Sequence, residues 1–176
     1  KDKVQEEIES IRESKALVEI PKYTEFFGVI PQESRNVLNR KIPSQFIYTK
    51  PGRGGLELSY ISIGYVVNAL NEAFGEFWNF EVEPIVPEII KSGHVVTKGT
   101  LTIKIPNGAC IVKQQFGSSA VKFYKAPNPN AGKPIDVGDD FKSAASDALK
   151  KCASLLGIGK ELYFKDADLI EKSNKI

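Results

Sequence analysis

Two alternating runs on either side of Asn107-Gly108 constrain this chain more than any other feature. "HVVTKGTLTIKI" places Val95, Leu101, Ile103 and Ile105 on one face and Lys98, Thr100, Thr102 and Lys104 on the other. This period of two is the signature of a strand buried on one side. "ACIVKQQFGSSAV" follows directly after "PNG", and because Asn and Gly both tolerate positive φ, that pair is the strongest short hairpin signal available. Upstream, "FWNFEVEPIVPEII" alternates Trp78, Phe80 and Val82 against Glu81 and Glu83, while Pro84 and Pro87 restrict it to an edge or bent strand. Three successive extended runs predict an antiparallel meander.

Helical periods flank the meander. Val4, Ile8 and Ile11 recur at helical spacing over residues 3–19, an exposed amphipathic arm ended by Pro21. "PQESRNVLNRKIPSQF" predicts a short helix over about 32–41 with Val37 and Leu38 inward, stopped at Ile42-Pro43. "FIYTKPGRGGLELSYIS" reads as strand, glycine loop and strand. Ile63, Val66, Val67, Leu70 and Phe74 then mark one face of a helix that stops at Gly75, with Phe77 just past its end. A last helix carries the stripe Phe141, Ala145, Ala148, Leu149, Cys152 and Leu156, with Asp139 or Asp140 as its cap and alanines that let it lie close on the sheet. Before it, "KFYKAPNPNAGKPIDVGDD" is a polar, proline-rich loop expected to be mobile. The predicted class is α+β: a twisted antiparallel β-meander with helices packed on one face, a β-β-β-α core, plus an N-terminal helical arm.

A chain of 176 residues suits one domain. The expected division is an arm over 1–31, a functional domain over 32–165 and an extension over 166–176. The lack of any methionine suggests a longer protein with a further tail. No stretch approaches the roughly 20 apolar residues of a membrane-spanning helix, and "KDKVQEEIES" offers no apolar signal region. No membrane partner and a cytoplasmic location are expected. Cys110 and Cys152 lack metal-ligand spacing and sit in apolar contexts, which predicts small buried thiols in a reducing compartment.

The net charge of +2 conceals blocks of one sign. Residues 34–56 hold five basic residues (Arg35, Arg40, Lys41, Lys50, Arg53) and no acid, residues 57–90 six glutamates and no base, and residues 91–135 seven lysines and no acid. Such blocks suit a polyanion-binding face. They equally suit solvated lysines on edges and loops, so charge alone leaves both open.

Catalytic chemistry finds little support. His94 stands alone at a strand start, and "PGRGG" and "GIGKE" match neither a P-loop nor a dinucleotide fingerprint. Asp139 and Asp140, with Glu81 or Glu83, would be the only candidates for a divalent metal, and adjacent acids at a helix start more commonly serve the cap and the dipole. No catalytic residue, metal ligand or cofactor is assigned.

"LNRKIP", "KPGRGGLELSYIS", "VVNALNEAFG" with Phe77 and Trp78, the meander and above all "SDALKKCASLLGIGKELYF" occur in the order found in one family. From about Val37 to Phe164 the chain resembles the single-strand annealing proteins of the Rad-fifty-two superfamily, in particular the DdrA and phage Sak branches. The resemblance implies a protein that is not an enzyme, assembles as a homo-oligomeric ring or ring segment, binds single-stranded DNA and anneals complementary strands without ATP in recombination or repair. It implies a bacterial or phage-infected host. A tail beyond the sequence would contact a single-strand-binding protein or a recombinase. Lys150 and Lys151 match the basic pair that holds the DNA backbone in relatives. Lys50 falls on a position that is basic in relatives, and Arg53 shares its glycine loop. Tyr65 and Ser154 stand where eukaryotic members place arginines, so that contact set does not transfer whole. Lys142, Ser118 and Ser119 complete the expected DNA-binding set. The competing readings are a basic RNA- or protein-interaction module and a metal-dependent nuclease.

Overall fold

The computed structural model describes residues 30–85, 93–105 and 108–164. The predicted helix over 3–19, nearly all of the arm, the 166–176 extension and the side chain of Arg53 lie outside the described residues. The element order is α1 (Gln32–Leu38), β1 (Ile47–Pro51), β2 (Glu57–Ile61), α2 (Ile63–Phe74), β3 (Trp78–Ile85), β4 (His94–Lys104), β5 (Cys110–Ala120), α3 (Val137–Ser154) and α4 (Lys160–Tyr163). The architecture is α+β, as the sequence pattern predicts. β1 and β2 form a two-stranded antiparallel sheet, and β3-β4-β5 form a three-stranded one.

The meander obeys its alternation. Val95, Thr97, Gly99, Leu101 and Ile103 of β4 are buried, and the residues between them are not. Lys98 on the open face reaches Glu83 of β3 at 3.6 Å. β3, which holds Pro84, is an edge strand as expected. The β4–β5 turn closes through Gly108 N–H donating to Ile105 O at 2.9 Å.

Helix α3 packs on the buried face of β4 and β5, and small residues set how closely. A Cβ on Gly117 would collide with the backbone of α3 at Ala144 and Ala148, and one on Gly99 would meet Phe80 and the Ala148 Cβ. The buried residues of α3 are Asp140, Ala144, Ala148, Leu149, Cys152, Ala153 and Ser154. Phe141 and Ala145 of the predicted stripe are only partly buried, because the alanine side of the helix, not its aromatic, makes the close approach. Leu38, Ile42, Ile61, Val66, Leu70, Leu101, Ile103 and Ile158 join Leu149, Cys152 and Ala153 in the main core. Each fully buried aliphatic of this kind contributes about 1.5–3 kcal/mol relative to exposure.

Several local expectations need correction. Helix α1 ends at Leu38, about three residues before the predicted stop, since Asn39 N–H closes it on Arg35 O at 3.0 Å. The cap of α3 is Asp136, whose side chain accepts from Asp139 N–H at 3.0 Å; Asp139 and Asp140 lie in the first turn instead. Cys110 is exposed, because it begins β5 on the open face, whereas Cys152 is buried. The 122–137 loop closes as a hairpin, with Tyr124 N–H to Lys133 O at 3.0 Å and Ile135 N–H to Lys122 O at 2.8 Å, and Phe123 packs on Val95, Val121 and Ala144.

Candidate nucleic-acid interface

The β1–β2 hairpin has two unlike faces. Register pairs Ile47 with Ile61 and Tyr48 with Tyr60, and places Lys50 opposite Leu58. Ile61 goes into the core and Ile47 packs against it. Strand alternation therefore puts Tyr48, Lys50, Leu58 and Tyr60 together on the outer face. The Tyr48 and Tyr60 rings lie 5.7 Å apart.

Helix α3 supplies the other wall. Its polar stripe runs through Asp139, Lys142, Ser143, Ser146, Asp147 and Lys150 at three- and four-residue intervals. Together with Lys50 and the Ser118–Ala120 end of β5, this stripe lines an open groove of about 540 Å³. Five of the eight residues predicted from sequence, Lys50, Ser118, Ser119, Lys142 and Lys150, thus meet in one place.

The lysines there are not equivalent. Lys50 Nζ stands 5.6 Å and Lys150 Nζ 5.4 Å from the centroid of the Tyr60 ring. Neither makes a salt bridge to a described carboxylate. Burial pushes the Lys150 ammonium below the ordinary lysine value; Asp147 opposes that shift, and Lys50 and Lys151 add to it. Lys151 turns aside, to Asp147 at 2.8 Å and to the Phe116 carbonyl at 3.2 Å. Asp147 also accepts the edge N–H of Ser118 at 3.1 Å, which covers part of the unpaired edge of β5. At the other end, Asp139 holds Lys122 at 3.0 Å and Lys142 at 3.5 Å. The Lys122 side chain holds the Asp139 carboxyl below its usual range.

The remaining predicted residues lie elsewhere. Arg53 falls in the short 3-10 turn Arg53–Gly55 between β1 and β2. Tyr65 opens α2 and lines a separate pocket with Phe46 and Tyr48. Ser154 is buried and donates to Lys151 O at 2.8 Å. No residue of the 122–137 loop lines the groove. Sequence reasoning missed Tyr60, Ser143, Ser146 and Asp147; helical spacing back from Lys150 finds the last three, and hairpin register finds Tyr60.

Of the carboxylates considered for a metal, Asp139 pairs with Lys122 and Lys142, Glu83 pairs with Lys98 and Glu81 accepts from the Asn79 amide. Asp140 is fully buried and accepts Lys122 N–H at 3.1 Å. Among the described residues, no three His, Cys, Asp or Glu side chains gather as a metal site, and no helix is long and apolar enough to cross a membrane. In chemical terms, Lys50 and Lys150 stand without a salt bridge in an open groove that also holds serine hydroxyls, while Asp147 and Asp139 in the same lining are each paired to another lysine, an arrangement that can accept an anion.

Comparison with known proteins gives that surface its context. Residues 31–175 match the Rad52/22 family of double-strand break repair proteins, and the chain belongs to that family. It is 26% identical over 155 residues to the DNA repair and recombination protein RAD52 of Saccharomyces cerevisiae, covering 85% of this chain and 31% of that protein. It is 31% identical over 117 residues to the single-stranded DNA-binding protein DdrA of Deinococcus deserti, covering 66% of this chain and 47% of that protein. With the DNA repair and recombination protein radC of Emericella nidulans it shares 25% identity over 146 residues, covering 79% of this chain and 24% of the relative. The chain therefore spans less than half the length of the curated relatives it matches.

Proposed function

We propose that the groove between the β1–β2 hairpin and helix α3 binds the backbone of single-stranded DNA, and that the protein anneals complementary strands without ATP as a homo-oligomeric ring or ring segment. The observation that carries this reading is the Lys50–Tyr60–Lys150 cluster. Two like charges held near one ring with no salt-bridging carboxylate favour an anion between them; burial is the main cause that lowers Lys150, and a phosphate would offset both that and the smaller repulsion from Lys50 and Lys151. Ser118, Ser119, Ser143 and Ser146 add hydroxyl donors along the same groove. Contacts of this kind carry no sequence information, so most bases remain readable, as strand pairing requires. Family membership and the DdrA relative's description as a single-stranded DNA-binding protein support the same choice.

Site assignment follows the geometry. Lys50 and Lys150 hold phosphate directly, the serines assist, and Lys151 positions Asp147 and the β5 edge. Lys142 borders the path, and Arg53, from the turn between β1 and β2, is a further candidate contact. Complementary oligonucleotides carrying a fluorophore and a quencher, mixed with the protein in EDTA without ATP, test the reading. Accelerated quenching is expected. Binding without pairing would reduce the protein to an interaction module, and strand loss that requires Mg²⁺ would make it a nuclease.

A further inference from the structure

Beside the lysine groove lies a second pocket of different character. Phe46, Tyr48 and Tyr65 line it, with Asn68 and the Arg40–Glu72 pair at its polar side, in an open space of about 540 Å³. Phe46 and Tyr65 approach to 5.2 Å with their rings tilted by 43°. Arg40 is gripped by both Glu72 oxygens, at 3.0 and 2.7 Å. Phe46 is 37% and Tyr48 45% exposed, so these aromatic faces are not consumed by the core.

The pocket and the groove share no lining residue and are linked through one ring contact. Tyr48 lines the pocket and packs on Tyr60, and Tyr60 carries Lys50 and Lys150. The outer face of the hairpin thus carries the tyrosine pair and Lys50 between an aromatic cavity completed by Phe46 and Tyr65 on one side and Lys150 of α3 on the other. A ligand that satisfies this order has a flat π-system at one end and a phosphate at the other. The Asn68 amide adds a donor and an acceptor suited to a base edge.

We propose that this aromatic pocket receives one unpaired nucleobase of the single strand whose phosphate sits at Lys50 and Lys150, which makes the site selective for unpaired over paired strands. The proposal rests on the phosphate-groove reading and deepens it. A base stacked within a duplex cannot enter the pocket without leaving its partner, and only one base per chain is withdrawn from pairing. Stacking on aromatic side chains is tolerant of base identity because every base offers a π-face.

The test compares a thymidine oligomer with an abasic oligomer of equal length, so that phosphate number is constant. The full chain should bind the thymidine oligomer about ten-fold more tightly. Tyr48→Leu should abolish that preference, and Tyr48→Phe should keep it. Tyr65→Leu provides a second route should the first variant not fold. Equal affinity of the unaltered protein for both oligomers overturns the pocket and leaves the phosphate groove standing. A preference that survives both leucine variants also overturns it. Failure to bind either oligomer removes the groove reading, and this one with it.

Discussion

The two ends of helix α3 border the same groove and treat their lysines in opposite ways. At the N-terminal end Asp139 neutralises Lys122 and Lys142, and its side-chain bond raises the Lys122 ammonium above the ordinary value. At the C-terminal end Lys150 shares the Tyr60 ring with Lys50, and burial, with a smaller contribution from the Lys50 and Lys151 charges, pushes its ammonium down. Lysine number is therefore a poor measure of charge available to a ligand. Helix geometry explains the contrast, since carboxylates favour the first turn, where the backbone dipole is positive, and the Asp136 cap fixes that turn in place.

The largest expected effect comes from the point where both ends are held. Gly117→Ala places a methyl against the α3 backbone, and overpacking of this sort costs roughly 1–3 kcal/mol. The urea midpoint should fall and binding should weaken with it. Unchanged stability would mean that the helix tolerates displacement from β5 and that the contrast between its ends is not rigid.

Next in size is a separation of neighbours. Lys150→Ala should weaken single-strand binding and lower the salt slope by about one unit. Lys151→Ala should leave the slope near its starting value, because Asp147 already holds that charge, and the double variant should resemble Lys150→Ala. Equal slopes for the two single variants would erase the distinction. A pH series sharpens it further. The protonated form of Lys150 holds phosphate, and its pKa is lowered, so affinity should decline with rising pH before an ordinary lysine at 10.5 titrates. Lys50→Ala removes one of the depressing charges and should move the Lys150-dependent part of that decline to higher pH. The same shift works against folding at low pH, where the half-buried Lys150 is charged. That penalty disappears as pH rises past the unfolded value.

The legible parts of this molecule are those governed by periodicity. Alternation in β4 marks Val95, Leu101 and Ile103 as buried, and they are. The proline content of β3 marks an edge, and it is one. Family motifs single out Lys50 and Lys150, and these converge on one groove with the further expected residues Lys142, Ser118 and Ser119. What the sequence conceals is pairing between distant residues. Nothing local shows that Lys151 turns to the Phe116 carbonyl, that Arg40 from a basic block is held by Glu72 from the acidic block, or that Asp139 is partnered by Lys122 across the loop. Tyr60 escaped notice for the opposite reason: its role depends on a hairpin register and on a helix about ninety residues later in the chain.

The smallest expected effect tests the neutralised end directly. Asp139→Asn keeps the shape of the first turn, and the Asp136 cap remains, because that cap uses the backbone N–H of residue 139 and not its side chain. It removes the carboxylate shared by Lys122 and Lys142, while Asp140 stays 3.7 Å from the Lys122 ammonium. Lys142, which is highly exposed and lines the groove, is then the charge released. Affinity for a single strand should rise by roughly two- to four-fold at low salt, with the salt slope steeper by less than one unit. Lys142→Ala in the Asp139→Asn background should cancel the gain, whereas Lys142→Ala alone should do little. Were Lys142→Ala alone to weaken binding as much as Lys150→Ala does, its ion pair with Asp139 would not persist in solution, and both ends of α3 would serve the strand alike.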